Sequence, residues 1–194
     1  MTNAELNRKR DLEQRCQKIE LLLSDVDGVL TDGGVVFDNQ GIETKQFNIR
    51  DGLGIKLWQR SGYRFGLITG RASHIVKLRA AELGIDLVRQ GVEEKWPTVR
   101  QIIHELRLRP EQVCFIGDDL PDRPVMLNVG LGVAVADAGE DVRSIAHHVT
   151  TAMGGRGAVR EVVELLLRTQ RRWDELLGRY GGSAERGRGL GVGG

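Results

Sequence analysis

Two aspartates separated by a single residue, Asp25 and Asp27, are the strongest chemical signal in the chain. They directly follow the apolar run 19–23 and precede Gly28. A short apolar run is typical of a buried strand, and residues i and i+2 of an extended chain point to the same side. Two adjacent carboxylates repel each other unless a metal ion or a proton relieves the repulsion. The pattern therefore predicts a metal-assisted site in which one aspartate can act as a nucleophile.

Polar residues follow three other apolar runs. Thr69-Gly70-Arg71 comes after residues 65–68, Lys95 stands at a predicted helix start, and Asp118-Asp119 comes after residues 113–116. Parallel strands bring their carboxyl ends to one edge of a sheet, where ligands bind. We therefore expect these side chains to converge with the first pair of aspartates.

Phosphoryl transfer is the chemistry that needs this combination, because it depends above all on charge neutralisation and positioning. Mg²⁺ binds through one or two carboxylates together with substrate phosphate, which suits Asp25 and Asp118. A hydroxyl from Thr69 and a point charge from Lys95 suit the phosphoryl oxygens. Asp27 is then free for proton transfer to the leaving oxygen.

The elements that must position these residues alternate along the chain. Alternating strands and helices predict βαβ units, and hence a doubly wound, Rossmann-like parallel α/β sheet. A β-hairpin flap, and no large cap domain, fits between residues 30 and 52. The predicted segments are helix 4–18, strand 19–24, hairpin arms 35–37 and 42–49, helix 52–61, strand 65–68, helix 72–83, strand 86–88, helix 94–107, strand 113–116, helix 121–128, strand 131–135, helix 139–145, strand 147–149 and helix 157–178. We expect three regions: an N-terminal helical extension 1–18, one phosphatase-like domain 19–178, and a flexible Gly-rich tail 179–194.

Composition narrows the function classes. The chain has 194 residues and a net charge of +1, so no overall field favours a nucleic-acid partner. No apolar run reaches the ~18 residues of a membrane span, so we expect no membrane partner. Two cysteines are too few for a disulfide framework, and the polar N-terminus lacks an apolar signal core. Cytoplasmic localisation is the expectation.

The set of Asp25-Val26-Asp27, Thr69, Lys95 and Asp118 resembles, in order, the haloacid dehalogenase superfamily of phosphohydrolases. The resemblance implies that Asp25 is the nucleophile and forms an aspartyl-phosphate, with Asp27 as general acid and then base. It implies Mg²⁺ held by Asp25, the Asp27 backbone carbonyl and Asp118. Phosphate binding would fall to Thr69, Gly70 and Lys95, and Asp122 would be an outer or alternative acidic partner.

Longer motifs resemble one family in that superfamily, the 3-deoxy-D-manno-octulosonate 8-phosphate phosphatases. The resemblance covers roughly residues 10–178 and implies a homotetramer, Mg²⁺ dependence and a part in making the inner sugar of lipopolysaccharide. We expect the hairpin flaps to build the oligomer, because free strand edges invite pairing. The motifs are residues 25–33, 47–56, 68–71, 117–122, 133–138 and 154–161.

Alternatives remain open at this point. The same scaffold could serve a related nonulosonate 9-phosphate or another sugar phosphate, or, as a different class, a non-catalytic assembly domain. Arg71 could bind a substrate carboxylate or pair with a local acid. The glycine-rich segment 154–157 could approach a ligand or form a loop, and Arg50 and Lys56 could contact substrate or position the flap.

Overall fold

A computed structural model describes residues 2–181 of the chain. Six strands form one sheet, in the order β5-β4-β1-β6-β7-β8, and every neighbouring pair is parallel. The other two strands, β2 and β3, form a separate antiparallel hairpin. The strands are β1 (Leu21–Ser24), β2 (Val36–Phe37), β3 (Glu43–Thr44), β4 (Arg64–Ile68), β5 (Leu87–Arg89), β6 (Val113–Gly117), β7 (Leu131–Ala134) and β8 (His148–Val149).

Helices connect the parallel strands, which confirms the predicted doubly wound α/β fold. The helices are α1 (Asn3–Cys16), α2 (Ile49–Arg60), α3 (His74–Leu83), α4 (Lys95–Glu105), α5 (Arg123–Met126), α6 (Glu140–Arg143), α7 (Ala158–Thr169) and α8 (Trp173–Gly178), with short 3₁₀ turns at Pro110–Gln112 and Leu120–Asp122. Within residues 2–181, no helix combines the length and apolar character needed to cross a membrane.

The central strand β1 lies between β4 and β6, and every one of its residues is buried. Leu22 pairs with Phe65 on one side and Cys114 on the other. A parallel strand covered on both faces requires apolar residues throughout, which is why β1 and β6 lack the alternation of a half-exposed strand. The two acidic segments that follow β1 and β6 are therefore adjacent in space.

Helices α2 and α7 pack closely on one face of the sheet. A Cβ at Gly54 would lie 3.1 Å from the Arg160 backbone, so the glycine permits the close approach. The buried carboxylate of Asp51 accepts hydrogen bonds from the backbone N–H groups of Gly157 (3.2 Å) and Arg160 (2.8 Å). Asp51, on α2, thus accepts hydrogen bonds from backbone N–H groups at the start of α7 that have no partner within that helix, and so connects the two helices.

The hairpin is shorter than the sequence predicts. Its second arm ends at Thr44, and α2 begins at Ile49 because the Asn48 side chain caps the N–H of Arg50 at 2.8 Å. The tip is closed by Asp38, whose carboxylate accepts from two backbone N–H groups at 2.8 Å, and by Gly41 at φ 78°. Only this hairpin lies between β1 and α2, in agreement with the prediction of no large cap domain.

The predicted helix 157–178 is wrong as a single helix. It is two helices, α7 and α8, separated by Gln170–Arg172. Arg171 adopts φ 58°, a left-handed conformation that no continuous α-helix contains. The Gln170 amide donates to the carbonyls of Cys16 and Ile19, both at 2.9 Å, which draws the chain toward the end of α1. The division into regions 1–18, 19–178 and 179–194 stays a prediction, and residues 182–194 of the expected tail lie outside the described residues.

Candidate active site

A cavity of about 420 Å³ lies at the carboxyl ends of β1, β4 and β6. All seven residues predicted to form the site border it: Asp25, Asp27, Thr69, Gly70, Arg71, Lys95 and Asp118. Val92, Glu93, Asp119 and Pro121 complete its lining. A larger cavity of about 670 Å³ lies around the opposite, amino ends of β4 and β5, and none of those seven residues lines it.

Asp25 is held from several directions. Its backbone N–H donates to the Ile116 carbonyl at 3.0 Å, and its Oδ1 accepts from the Val26 N–H at 2.7 Å. Oδ2 lies 2.8 Å from the Lys95 ammonium. Burial, with repulsion from Asp122, raises the pKa of Asp25 to about 6, against the opposing effect of Lys95. The Lys95 ammonium favours the ionised form of Asp25, which is the form in which a carboxylate can attack phosphorus.

Lys95, at the first residue of α4, is buried between two carboxylates. Its ammonium lies 2.6 Å from Asp122 Oδ1 as well as 2.8 Å from Asp25. Burial would lower the pKa of Lys95, but Asp122 and Asp25 together raise it above its ordinary value. Asp122 is itself occupied, because its Oδ2 accepts from the N–H groups of Asp118 (2.9 Å) and Asp119 (3.3 Å). Asp122 consequently holds Lys95 and the β6 loop in place.

Asp118 has a buried carboxylate oxygen that no described residue satisfies. Its buried Oδ1 has no hydrogen-bond partner among residues 2–181. Burial, then repulsion from Asp122 and Asp25, raises its pKa to about 8. Oxygens of Asp25, Asp118 and Asp122 all lie within 4.8 Å of one another. Asp25 and Asp118 border the cavity and Asp122 does not, so Asp25 and Asp118 are the carboxylates that a hard, oxygen-binding ion such as Mg²⁺ can reach from the cavity.

Gly28 makes the approach of Asp118 possible. A Cβ at Gly28 would overlap the Asp118 carboxylate, and Gly28 has φ 89°, a conformation that favours glycine. The loop after β1 can therefore approach the loop after β6 this closely only with a glycine at position 28. The donor set and its spacing fit a magnesium ion bound by these two loops.

Asp27 lies beneath the hairpin. Its Oδ1 contacts the Lys45 ammonium, and the Thr31 hydroxyl lies 3.5 Å away. Its Oδ2 is buried, has no hydrogen bond from the described residues, and lies 3.8 Å from Arg71 Nη1. Arg71 also lies 2.7 Å from Glu43 on β3. Arg71 thus pairs with local acids and also borders the cavity, and its part in binding a substrate stays a prediction.

The sequence analysis missed Lys45 and Glu43. Lys45 contacts Asp27, which lies 18 residues earlier in the chain. The local sequence of a hairpin arm does not distinguish such a lysine from one that faces solvent. The only signal was the alternation of a strand, which puts both residues on the same side of the arm.

The glycine-rich segment 154–157 packs against the chain itself. The Gly155 N–H donates to the Val29 carbonyl at 2.8 Å, and a Cβ at Gly154 would overlap the Gly28 carbonyl. The Asn48 amide reaches the Gly155 carbonyl at 3.3 Å. Residues 154–157 do not border the candidate cavity, so these glycines support the loop that carries Asp27. Arg50 and Lys56 likewise line a different surface depression, beside α3.

Comparisons with known proteins agree with this geometry. A haloacid dehalogenase-like hydrolase family model matches residues 78–161. The 3-deoxy-D-manno-octulosonate 8-phosphate phosphatase of Yersinia pestis is 47% identical over 171 residues, 88% of this chain and 90% of that protein. The Escherichia coli K12 enzyme of the same name is 46% identical over 168 residues, 87% of this chain and 89% of its own length.

Solved structures give the same result. The crystal structure of the Moraxella catarrhalis 3-deoxy-D-manno-octulosonate 8-phosphate phosphatase, in complex with magnesium ion, phosphate ion and KDO, superposes with a TM-score of 0.87. It is 37% identical, and the match covers 88% of this chain and 98% of that one. The Yersinia pestis crystal structure has a TM-score of 0.82 and 48% identity, over 84% of this chain and 88% of that one. The chain therefore belongs to the 3-deoxy-D-manno-octulosonate 8-phosphate phosphatase family of haloacid dehalogenase-like hydrolases.

Proposed function

We propose that this protein hydrolyses 3-deoxy-D-manno-octulosonate 8-phosphate to the free sugar acid and inorganic phosphate, a step in making lipopolysaccharide precursor. The observation that carries the proposal is the Asp25–Lys95–Asp118 arrangement at the carboxyl ends of β1 and β6. Support also comes from relatives that bear this activity in their names and match the chain over most of its length.

Magnesium is the cofactor of the proposed reaction. The Asp25 and Asp118 carboxylates, with the Asp27 backbone carbonyl, would hold the ion. Its chemical contribution is to neutralise negative charge on the phosphoryl oxygens and on the carboxylates around them. The unpartnered Asp118 Oδ1 and the close approach allowed by Gly28 support this assignment.

The first half-reaction transfers the phosphoryl group to Asp25. A carboxylate oxygen of Asp25 forms a bond to phosphorus while the bond between phosphorus and the sugar oxygen breaks. Asp27 donates a proton to that leaving oxygen, which departs as a hydroxyl group. Lys95, 2.8 Å from Asp25 Oδ2, holds the nucleophile in place and offsets charge in the transition state.

The second half-reaction restores Asp25. Asp27, now ionised, accepts a proton from a water molecule as the water oxygen bonds to phosphorus. The bond between phosphorus and the Asp25 oxygen breaks, and phosphate leaves. Thr69 and Gly70, on the loop after β4, border the same cavity and are the proposed phosphate-binding residues.

Assembly through the hairpin flaps, as a homotetramer, is part of the proposal. The hairpin exposes more than half the surface of four apolar side chains: Val35, Val36, Phe37 and Ile42. Apolar side chains concentrated on a short hairpin favour burial against another chain. A cytoplasmic location and the expected lack of nucleic-acid and membrane partners stay predictions.

The test is phosphate release from 3-deoxy-D-manno-octulosonate 8-phosphate, with Mg²⁺ and with a chelator, beside a panel containing a nonulosonate 9-phosphate and common sugar phosphates. We expect fast, Mg²⁺-dependent release with strong preference for the octulosonate ester. Preference for another ester would retain the phosphatase and reject the substrate. No release from any ester, in a folded protein, would favour the non-catalytic assembly domain.

A further inference from the structure

Lys45 is a buried lysine on an otherwise exposed hairpin. Its side chain is 1% exposed, whereas Val36 and Phe37 on the same hairpin are 57% and 58% exposed. Lysine normally keeps its ammonium in water while its methylene chain lies along the protein surface. Here the ammonium is turned inward, onto Asp27 Oδ1, and lies 3.5 Å from Glu43 Oε1. Burying this charge is unfavourable unless it is paired, and Asp27 and Glu43 are its partners.

The contact divides the two oxygens of Asp27 between different tasks. Oδ1 is occupied by Lys45 and by the Thr31 hydroxyl. Oδ2 is buried and has no hydrogen bond from the described residues, and Arg71 Nη1 lies 3.8 Å from it, beyond hydrogen-bond distance. A carboxylate held by one oxygen cannot rotate freely, so the other oxygen keeps a fixed direction. Asp27 borders the candidate cavity, where a general acid must meet the leaving oxygen.

We propose that Lys45 is a positioning residue for the hydrolysis, holding Asp27 by Oδ1 so that Oδ2 exchanges the proton. The inference rests on the proposed function, because it assumes that Asp27 is the acid and base of the reaction. In the first step the Oδ2–H bond breaks as the leaving oxygen gains its proton. In the second step Oδ2 takes a proton from the attacking water. Glu43 and Arg71, 2.7 Å apart, close the ring of charges around this contact.

The inference links chemistry to the hairpin. Lys45 directly follows β3, so its ammonium reaches Asp27 only when the hairpin lies over the β1 loop. The hairpin thus acts on a reacting group of its own chain, in addition to any part it has in assembly.

The test measures kcat/KM of the wild type and of the Lys45→Met variant with three phosphate esters. They are the octulosonate 8-phosphate, glycerol phosphate, which is an alkyl ester without a carboxylate, and p-nitrophenyl phosphate. The parameter kcat/KM covers the steps up to formation of the phosphoenzyme. We expect it to fall about 100-fold for both alkyl esters, since general acid catalysis contributes 10²- to 10⁴-fold. The nitrophenyl ester leaves without a proton, so its kcat/KM should fall less than about fivefold.

Three results would overturn the inference. A loss confined to the octulosonate ester would make Lys45 a binding residue for the sugar carboxylate. An equal loss for all three esters, with a lowered thermal midpoint, would make it a structural residue. In the Asp27→Asn background, Lys45→Met should cause no further loss for the alkyl esters. An additional loss there would also contradict the inference.

Matched variants keep the test decisive. Lys77→Met removes an exposed lysine of α3 and should leave all three values unchanged. Lys45→Gln keeps a hydrogen-bond donor for Asp27 Oδ1, so its kcat/KM for the alkyl esters should fall only about tenfold. This variant replaces Lys45→Met in the test if Lys45→Met does not fold. If its kcat/KM falls as much for the nitrophenyl ester as for the alkyl esters, Lys45 is not a positioning residue for Asp27. If the wild type hydrolyses glycerol phosphate but not the octulosonate ester, the proposed substrate fails while Lys45 is still judged by the alkyl-to-aryl ratio.

Discussion

The ammonium of Lys95 lies 2.6 Å from Asp122, and both side chains are buried, at 3% and 0% exposure. Asp122 also accepts two backbone hydrogen bonds from the loop that carries Asp118. This single carboxylate therefore connects α4 to the end of β6. Because a buried ion pair leaves an uncompensated charge when one partner is removed, the pair is a sensitive point of the fold.

Asp122→Ala should lower the free energy of unfolding by about 3 kcal/mol, because it removes one of the two partners of the buried Lys95 ammonium and leaves the N–H groups of Asp118 and Asp119 without their acceptor. Urea denaturation measures this value. The control is Asp11→Ala, which removes an exposed pair with Arg15 at 2.8 Å and should cost less than about 0.5 kcal/mol. Equal effects of the two substitutions would contradict the importance assigned to Asp122.

Asp25→Asn should lower kcat by at least about 1,000-fold while the protein stays folded, because the amide cannot form the aspartyl-phosphate. The substitution also removes a carboxylate whose charged form is disfavoured by burial, so the thermal midpoint should not fall. Phosphate release and circular dichroism check the two statements. Asp32→Asn, at an exposed aspartate, is the control and should remain active. An active Asp25→Asn protein would reject the mechanism.

The stability of the metal-free protein should depend on pH through Asp118. Its pKa rises to about 8 in the fold, from 3.8, so between these values the folded state holds a proton that the unfolded chain has lost. By linkage, the stability contributed by this group is present below pH 4 and is lost as pH rises to about 8. In chelator, the thermal midpoint of the wild type, compared with that of Asp118→Asn, should fall by roughly 10 °C as the pH rises from 5.5 to 8.5.

Magnesium should reverse this trend. Protons compete with the ion for Asp118 and Asp25, so Mg²⁺ should raise the midpoint more at pH 8.5 than at pH 5.5. Differential scanning fluorimetry with Mg²⁺ and with chelator measures both effects. The Asp118→Asn protein should show little response to Mg²⁺ at either pH. A response equal to that of the wild type would place the ion elsewhere.

Gly154→Ala should destabilise the protein by about 2 kcal/mol and reduce activity, because its Cβ would overlap the Gly28 carbonyl in the loop after β1. Gly178→Ala is the matched control, since a Cβ there meets no atom within 4 Å. Urea denaturation and kcat for the two variants separate the steric effect from the general effect of replacing glycine. If Gly154→Ala behaves like Gly178→Ala, the loop is not a support for the site.

Sequence patterns predicted the parallel sheet and placed Asp25, Thr69, Lys95 and Asp118 close together. Asp25, Thr69 and Asp118 come after apolar runs whose ends must lie at one edge of the sheet, and Lys95 begins a helix that follows another strand. Their individual roles stay predictions. The contact of Lys45 with Asp27 was not predictable, because it depends on how the hairpin folds back over the β1 loop.

The break between α7 and α8 was missed for a different reason. Apolar residues recur at helical spacing on both sides of it, and an arginine, not a glycine, adopts the left-handed conformation at position 171. Tertiary contacts, here the bonds from Gln170 to the end of α1, decide such a point.

The exposed hairpin provides the last prediction. Phe37→Lys replaces an apolar side chain that is 58% exposed and does not line the candidate cavity with a charged one, so it should disrupt assembly through the flaps. Light scattering after size-exclusion chromatography should show a tetramer for the wild type and smaller species for the variant. Leu78→Lys, at an exposed leucine of α3 away from the hairpin, is the control and should remain a tetramer. A tetrameric Phe37→Lys protein would show that the hairpins do not build the oligomer, and a wild type smaller than a tetramer would reject the proposed assembly.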